Sequence, residues 1–298
     1  MRTTKRFTPA LLDRYRALGR GTGTYNAYLP WHRVGRSDPA SRGRSHLHMW
    51  RGRQREFLSD LEWIGFLFAT MEGGLEDVLE QFPLSLDAER HELGRYDCRV
   101  GGDAIAGTLE IADQFGVKHP RVTSDGRAEP WVMTTDQLLL FRSEKGSLRL
   151  IAVSYKYPVD LERKRACELL EVERLYWRER DVEWRLITPD QFDQRVALTL
   201  RNAVPWGLGE KSISGQINAA VDLAQKRAGH PLSAVLRGLA NDLGSMDCAQ
   251  RAFWQAVWSG EVPLDLTRGW RPHEPVRLLP LEKFWERNPI VAGRSAWK

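Results

Sequence analysis

The sequence has few cysteines and no long apolar segment. Cys98, Cys167 and Cys248 lie far apart, are odd in number and form no CxxC pair, so neither a disulfide framework nor a cysteine-rich zinc site is predicted. There is no run of about 18 apolar residues, and a membrane-spanning helix is therefore not expected. The first six residues lack the apolar stretch of a signal peptide. We therefore expect a protein of the reducing cytoplasm.

Charge is distributed unevenly along the 298 residues. Residues 1–55 hold thirteen lysines and arginines against two aspartates, a net charge of +11, whereas the remainder carries −6. A basic arm of this kind, interleaved with aromatic residues, favours contact with a polyanion such as DNA. A solvated leader that aids solubility is the alternative. The candidate DNA contacts are Arg42, Arg44, Arg51 and Arg53.

Residue patterns predict a first domain over residues 1–195. Predicted helices cover residues 8–19, 59–71, 75–80, 109–115 and 161–181, and predicted strands cover 28–31, 45–50, 131–140, 148–153 and 183–188. Residues 95–107 are polar and glycine-bearing, which indicates an inserted loop. The order of helix, strands, helix and strand is typical of an α/β fold, with a mixed sheet flanked by helices.

The pattern changes near residue 190, and a second domain is predicted over residues 196–298. Three helices are expected at 212–228, 231–243 and 246–259, because Gly, Pro and Asn stand at the breaks between them. Residues 262–266 and 275–279 are expected to pair as a small hairpin. Three helices followed by a hairpin resemble a winged helix.

Three polar residues stand out in the first domain. Asp136 interrupts an apolar strand, Lys156 follows the next strand, and an antiparallel pair would bring the two close together. Glu62 begins the helix upstream. An acid, a hairpin, an x-Lys ending and a preceding helical glutamate resemble the PD-(D/E)xK, or restriction-endonuclease-like, metal nucleases.

Each of the three residues also has a structural interpretation. Glu62 follows Ser59 by three positions, the spacing of a helix capping box. Lys156 could be an ordinary exposed lysine at a strand end. Asp136 is harder to explain in this way, because aspartate is depleted in strands and no local capping role is apparent.

Together, the three residues fit phosphodiester hydrolysis. Carboxylates that share one or two Mg²⁺ ions lower the pKa of a water molecule and neutralise the phosphate. Lys156 would stabilise the transition state or orient the attacking water. Ser154 occupies the usual place of a second acid and, being neutral, is a poor Mg²⁺ ligand. The backbone carbonyl of Tyr155 and the carboxylate of Glu62 would then supply the missing oxygens.

A series of motifs extends over residues 20–188. In order, the segments are Tyr28–Trp31, 43–46, Leu58–Glu62, Glu80–Leu84, Val117–Pro120, Thr135–Asp136, Ala152–Lys156 and Leu170–Trp177. Together they resemble TnsA, the endonuclease subunit of heteromeric cut-and-paste transposases. Several ordered motifs at compatible spacings are more specific than any one of them.

The resemblance implies a restriction-endonuclease-like N-terminal domain and a winged-helix C-terminal domain. It implies a bacterial enzyme, associated with the nucleoid when active, that cuts the 5′ ends (the non-transferred strands) of a transposon. Mg²⁺ would be the cofactor, with Mn²⁺ as a possible substitute. The implied partners are transposon-end DNA, a DDE-type recombinase that processes the 3′ ends, and an AAA+ ATPase regulator.

Carried over by position, Glu62 and Asp136 match the family's metal-binding acids and Lys156 matches its catalytic lysine. Ser154 stands where the family pattern has glutamine, which is also neutral. Glu173 matches a family glutamate, although pairing with neighbouring arginines on its helix is the simpler explanation. Two other functions stay open: a different restriction-endonuclease-like enzyme that cuts DNA without partner subunits, or a non-catalytic DNA-binding or bridging protein.

Overall fold

The computed structural model describes residues 6–36, 38–40 and 44–297. It divides the chain into two compact units, the first formed by residues 1–63 and 74–187 and the second by residues 64–73 and 188–296. The sequence-based boundary at residue 195 lies a few residues after this division. In the part of the chain that is described, no helix has both the length and the apolar character needed to cross a membrane.

The first unit contains five helices and eight strands among its described residues. In chain order they are α1 (Pro9–Ala17), β1 (His46–Trp50), β2 (Arg53–Phe57), α2 (Asp60–Met71, whose first turn lies in this unit), β3 (Leu75–Pro83), α3 (Thr108–Gln114), β4 (Arg121–Ser124), β5 (Arg127–Pro130), β6 (Thr134–Arg142), β7 (Leu148–Tyr155), α4 (Pro158–Leu161), α5 (Lys164–Glu179) and β8 (Glu183–Ile187).

The central sheet has four strands in the order β3-β6-β7-β8. β3, β6 and β7 are antiparallel, and β8 pairs parallel with β7 after the crossover through α5, as a parallel connection requires. α3 and α5 cover one face, where Trp177 and Tyr176 are fully buried. The predicted mixed sheet with flanking helices is therefore confirmed.

The predicted helix at residues 75–80 is wrong, because this segment belongs to strand β3. Leu75, Val78, Leu79 and Phe82 have the spacing of a helix face, which accounts for the error. In the structure β3 is buried almost throughout, including its acids Asp77 and Glu80. A strand that is buried on both faces does not show the alternation of apolar and polar residues that is typical of a half-exposed strand.

Buried arginines from the β1–β2 hairpin neutralise these acids. Arg53 donates to Glu80 at 2.6 Å, and Arg55 to Asp77 at 3.2 Å. The hairpin turns at Arg51 and Gly52, whose φ values of +48° and +77° match the two-residue turns that suit the twist of a hairpin. The hairpin thus places two arginines beneath the edge strand β3.

The second unit is mostly helical. Besides residues 64–71 of α2, it contains α6 (Gln194–Gly207), α7 (Ser214–Lys226), α8 (Leu232–Leu243), α9 (Met246–Trp258) and α10 (Leu281–Trp285). The three helices predicted here are confirmed, whereas α6 was not predicted. Its final turn contains Pro205, a residue that usually indicates a break. α6 packs tightly on α9, since a Cβ at Gly207 would lie 2.4 Å from the Trp258 ring.

The predicted hairpin after α9 takes a reduced form. Leu264 and Leu278 form an isolated antiparallel bridge, and Asp265 N–H donates to the Arg277 carbonyl at 2.7 Å. The two segments therefore pair without forming regular strands, and four helices rather than three precede them. The winged-helix interpretation of this unit stays a prediction.

Candidate active site

Three polar residues, Gln81, Asp136 and Ser154, lie at neighbouring positions on β3, β6 and β7. Gln81 and Asp136 lie between the pairs Glu80–Gln137 and Phe82–Thr135, and Ser154 follows Val153, the partner of Gln137. Because residues opposite each other in an antiparallel pair are close neighbours, β3, β6 and β7 meet here at their polar positions.

The alternation of side chains changes at these positions. Leu79 and Phe82 both belong to the core cluster with Trp177, although they are three residues apart. In a regular strand such residues face opposite sides of the sheet. Gln81, between them, has a φ of +48°, which is uncommon for a residue with a side chain. This local irregularity turns Gln81 away from the regular strand pattern.

Glu62 combines a capping role with a place in the site. Its backbone N–H donates to the Ser59 hydroxyl at 3.1 Å, and its carboxylate accepts from that hydroxyl at 3.0 Å and from Leu58 N–H at 2.9 Å. Burial, followed by the negative charge of Asp136, raises the pKa of Glu62 to about 8. The hydrogen bonds that cap α2 therefore also fix the Glu62 carboxylate where it faces Asp136.

Asp136 and Lys156 form an ion pair. The Lys156 ammonium donates to Asp136 Oδ2 at 2.8 Å and to the Tyr155 carbonyl at 3.0 Å, and the Tyr155 N–H also donates to Asp136 Oδ2, at 2.7 Å. Burial alone would lower the pKa of Lys156, but the carboxylates of Asp136, Glu173 and Glu62 together outweigh burial and raise the pKa above its usual value. Lys156 therefore stays protonated beside the acids.

Gln81 links the two carboxylates. Its side-chain amide nitrogen lies 3.4 Å from Glu62 Oε2 and 3.3 Å from Asp136 Oδ1. The amide oxygen of the same side chain accepts from the Thr134 hydroxyl at 3.2 Å. The structure thus brings Glu62, Asp136 and Lys156 together as the sequence predicted, and adds Gln81 between the acids.

Ser154 is bound to a different acid. Its hydroxyl donates to Glu173 Oε1 at 2.5 Å, and the Thr135 hydroxyl donates to the same oxygen at 2.7 Å. Glu173 is buried, and this burial raises its pKa. The pairing of Glu173 with arginines of its own helix is wrong, because the neighbouring Arg174 pairs with Glu171. Glu173 instead fixes the Ser154 hydroxyl behind Asp136.

The donor groups of the site fit a hard divalent cation. Glu62, Asp136 and the Tyr155 carbonyl offer oxygen atoms, the donor type that Mg²⁺ and Mn²⁺ prefer. Two facing carboxylates in a buried site also favour a cation, as the raised pKa of Glu62 indicates. Among residues 6–36, 38–40 and 44–297, no three His, Cys, Asp or Glu side chains form a metal-binding group.

The four arginines proposed for DNA contact have different surroundings. Arg42 lies outside the described residues. Arg44 is highly exposed, with 83% of its side chain accessible, and it lies 3.4 Å from Asp60 near the start of α2. Arg51 is exposed at the hairpin turn and donates to the Glu76 carbonyl at 2.8 Å. Arg53 is only 8% exposed and bound to Glu80, so its buried position argues against DNA contact.

Sequence reasoning did not assign roles to Gln81 and Thr135. Gln81 lies in the motif Glu80–Leu84, which was noted only as part of the family resemblance. The polar pair Glu80–Gln81 between Leu79 and Phe82 marks the position as unusual but does not indicate the role of Gln81. Thr135 carried no such signal, because threonine is common in strands.

Comparison with known proteins agrees with this geometry. Residues 103–189 match the family described as TnsA-like endonuclease N terminal. The transposon Tn7 transposition protein TnsA of Escherichia coli is 30% identical over 190 residues, which cover 63% of this chain and 58% of that relative. The chain thus spans less than two thirds of the relative's length. The resemblance to TnsA is confirmed: over residues 103–189 the chain is similar to the N-terminal domain of TnsA-like endonucleases.

Proposed function

We propose that this protein is the DNA endonuclease subunit of a heteromeric transposase. It hydrolyses one phosphodiester in each 5′-end, non-transferred strand at the transposon ends during cut-and-paste transposition. The observation that carries the proposal is the convergence of two buried carboxylates and one ammonium: Gln81 bridges Glu62 and Asp136, and Lys156 lies 2.8 Å from Asp136.

In this proposal the acids hold a cation and the lysine acts on the phosphate. Glu62, Asp136 and the Tyr155 carbonyl would hold Mg²⁺, or Mn²⁺ in its place, which would supply Lewis-acid activation of water and neutralisation of phosphate charge. Asp136 keeps Lys156 protonated and restrains its ammonium. The ammonium stabilises the charge that develops on the phosphoryl oxygens or orients the attacking water.

The basic N-terminal region binds the DNA backbone. Arg44 and Arg51 are exposed on the same unit as the acids, and residues 1–55 carry a net charge of +11. Lysine and arginine contacts to phosphate give affinity without sequence preference. Recognition of a particular transposon end therefore requires other groups, and the partner subunits are the natural source.

The partners in this proposal are a DDE-type recombinase, which processes the 3′ ends, and an AAA+ ATPase regulator. Support comes from the TnsA resemblance and from the Escherichia coli relative, which is described as a transposition protein. DNA as substrate implies a cytoplasmic protein that is associated with the nucleoid when active.

The proposal is tested by strand-specific cleavage of a transposon-end duplex. The duplex is labelled separately on each strand and incubated with Mg²⁺, this protein, and the recombinase and ATPase encoded beside it. We expect a cut in the non-transferred strand that requires both this protein and the metal. Cutting without partner subunits would favour a different restriction-endonuclease-like enzyme. Assembly on DNA without any cut would favour a non-catalytic bridging protein.

A further inference from the structure

The side chain of Gln81 occupies the space between two acids that repel each other. Its amide nitrogen carries two N–H donors and lies within 3.5 Å of both Glu62 Oε2 and Asp136 Oδ1. These are long hydrogen bonds, and a long bond contributes little. The amide NH₂ group is therefore a weakly bound, partially positive group that lies between the two carboxylates.

The backbone of Gln81 adopts a conformation that its own strand does not require. A left-handed φ of +48° is strained in a residue with a Cβ. A regular conformation here would preserve the alternation of β3 that is broken between Leu79 and Phe82. The fold keeps the strained form, and its visible effect is that the amide contacts both acids.

Thr134 can form a hydrogen bond with the Gln81 amide in either of two orientations of that amide. Its hydroxyl donates to the Gln81 amide oxygen at 3.2 Å, but a hydroxyl can equally accept from an amide N–H. Rotation of the amide by half a turn would therefore keep a hydrogen bond to Thr134. It would also direct the amide oxygen, rather than the nitrogen, toward Glu62 and Asp136.

A divalent cation at this site would require an additional oxygen ligand. A cation of the Mg²⁺ type prefers about six oxygen ligands, and no third His, Cys, Asp or Glu joins the two acids among the residues described. The Ser154 hydroxyl is engaged with Glu173 at 2.5 Å. Gln81, by contrast, already lies between the two carboxylates.

We propose that Gln81 is a ligand of the catalytic cation, which its amide oxygen reaches after the side chain rotates. In the metal-free protein the amide nitrogen lies between the two carboxylates, and in the loaded protein the amide oxygen would complete the site. This inference rests on the proposed metal-dependent function.

The test is Mn²⁺ binding by the full-length protein, measured by calorimetry rather than by activity. The variants are Gln81→Glu and Gln81→Ala, with Gln54→Glu as the matched control, because Gln54 is an exposed glutamine in strand β2. Added ligand charge tightens binding, so Gln81→Glu is expected to bind Mn²⁺ about tenfold more tightly. Loss of the amide in Gln81→Ala should weaken binding by about tenfold or more. Gln54→Glu should match the wild type.

Thermal unfolding without metal provides a second measurement. A third carboxylate beside Glu62 and Asp136 should lower the Tm of Gln81→Glu in EDTA, and Mn²⁺ should raise its Tm by more than that of the wild type. A substitution at a residue with only a structural role would leave the Mn²⁺-induced rise in Tm equal to that of the wild type.

The outcomes separate this inference from the proposed function. If the wild type binds Mn²⁺ and both Gln81 variants bind it equally well, or both bind it more weakly, Gln81 is not a ligand and the proposed function stands. If the wild type and Gln81→Glu bind no Mn²⁺, the metal-dependent function fails and the ligand role fails with it.

Discussion

The Lys156 ammonium lies 2.8 Å from Asp136 Oδ2, while the other oxygen of that carboxylate faces Gln81. One carboxylate oxygen of Asp136 therefore binds Lys156, and the other faces Gln81 and, beyond it, Glu62. The backbone N–H of Tyr155 fixes Oδ2 further, at 2.7 Å. This division allows Asp136 to hold Lys156 and still present an oxygen toward Glu62.

Removal of the ammonium should stop cleavage without releasing the cation. We expect Lys156→Ala to lower the cleavage rate by roughly 10²–10⁴-fold, which is the usual contribution of a side chain that acts directly on the reacting groups in the transition state. Mn²⁺ binding should remain, because both carboxylates are intact. Lys164→Ala provides the control, since Lys164 is exposed at the start of α5. Cleavage within about tenfold of wild type would exclude the assigned role for Lys156.

Glu62 should make the metal-free protein less stable as pH rises. Its pKa is about 8 in the folded chain and 4.5 in the unfolded chain. Between these values the unfolded chain releases the proton that the folded chain retains, so the free energy of unfolding falls as pH increases through this window.

The check is urea unfolding in EDTA at several pH values from about 4.5 to 8, for wild type and Glu62→Gln. The neutral glutamine cannot ionise, and the wild type should lose stability relative to this variant as pH rises. Glu144→Gln, at an exposed turn, should follow the wild type. Parallel curves for wild type and Glu62→Gln would show that Glu62 does not titrate as described.

The sequence was sufficient to find the site but not its local geometry. Glu62, Asp136 and Lys156 were identified because each is polar within an apolar setting or matches an ordered motif. Gln81 was not, because its role depends on a positive φ and on a register between strands far apart in sequence. No local pattern encodes either property.

The fold was predictable to a similar extent. The strand that carries Asp136 and the strand that ends just before Lys156 show clear apolar runs, and α5 shows a helical pattern. β3 was misassigned because Asp77 and Glu80 are buried against Arg53 and Arg55, a compensation that appears only when the β1–β2 hairpin is in place. The periodicity of residues within a segment gives no information about an ion-pair partner more than twenty residues away in the sequence.

Ser154 should prove structural rather than metal-binding. In Ser154→Ala the buried Glu173 loses one hydrogen bond, for which we expect a loss of about 1–3 kcal/mol in the free energy of unfolding. Thr135 still donates to Glu173 at 2.7 Å, so the fold should persist. Mn²⁺ affinity should stay near that of the wild type. A fall in affinity of tenfold or more, measured by calorimetry, would make Ser154 a ligand.

Substitution of Arg53 and substitution of Arg44, both predicted from the sequence to contact DNA, should have different effects on stability and DNA binding. Arg53→Ala leaves Glu80 buried without one of its partners, and we expect a loss of about 3–5 kcal/mol in the free energy of unfolding. Arg44→Ala should leave stability nearly unchanged and weaken DNA binding. The slope of log K against log salt should fall by about 0.9 for the lost phosphate contact.

Urea unfolding and DNA titration at several salt concentrations measure both effects. Equal stability of Arg53→Ala and wild type would contradict the buried ion pair. An unchanged salt slope in Arg44→Ala would assign the exposed arginine to protein contacts instead.

The most direct test of the central claim is cleavage by Asp136→Ala. A transposon-end duplex labelled on the non-transferred strand is incubated with Mg²⁺, the neighbouring recombinase and ATPase, and either wild type, Asp136→Ala or the exposed-turn control Glu144→Ala. Circular dichroism and DNA binding confirm that each variant is folded. We predict metal-dependent cutting by wild type and Glu144→Ala and none by Asp136→Ala. Wild-type cutting rates in a folded Asp136→Ala variant would show that the Glu62–Asp136–Lys156 site is not the catalytic centre.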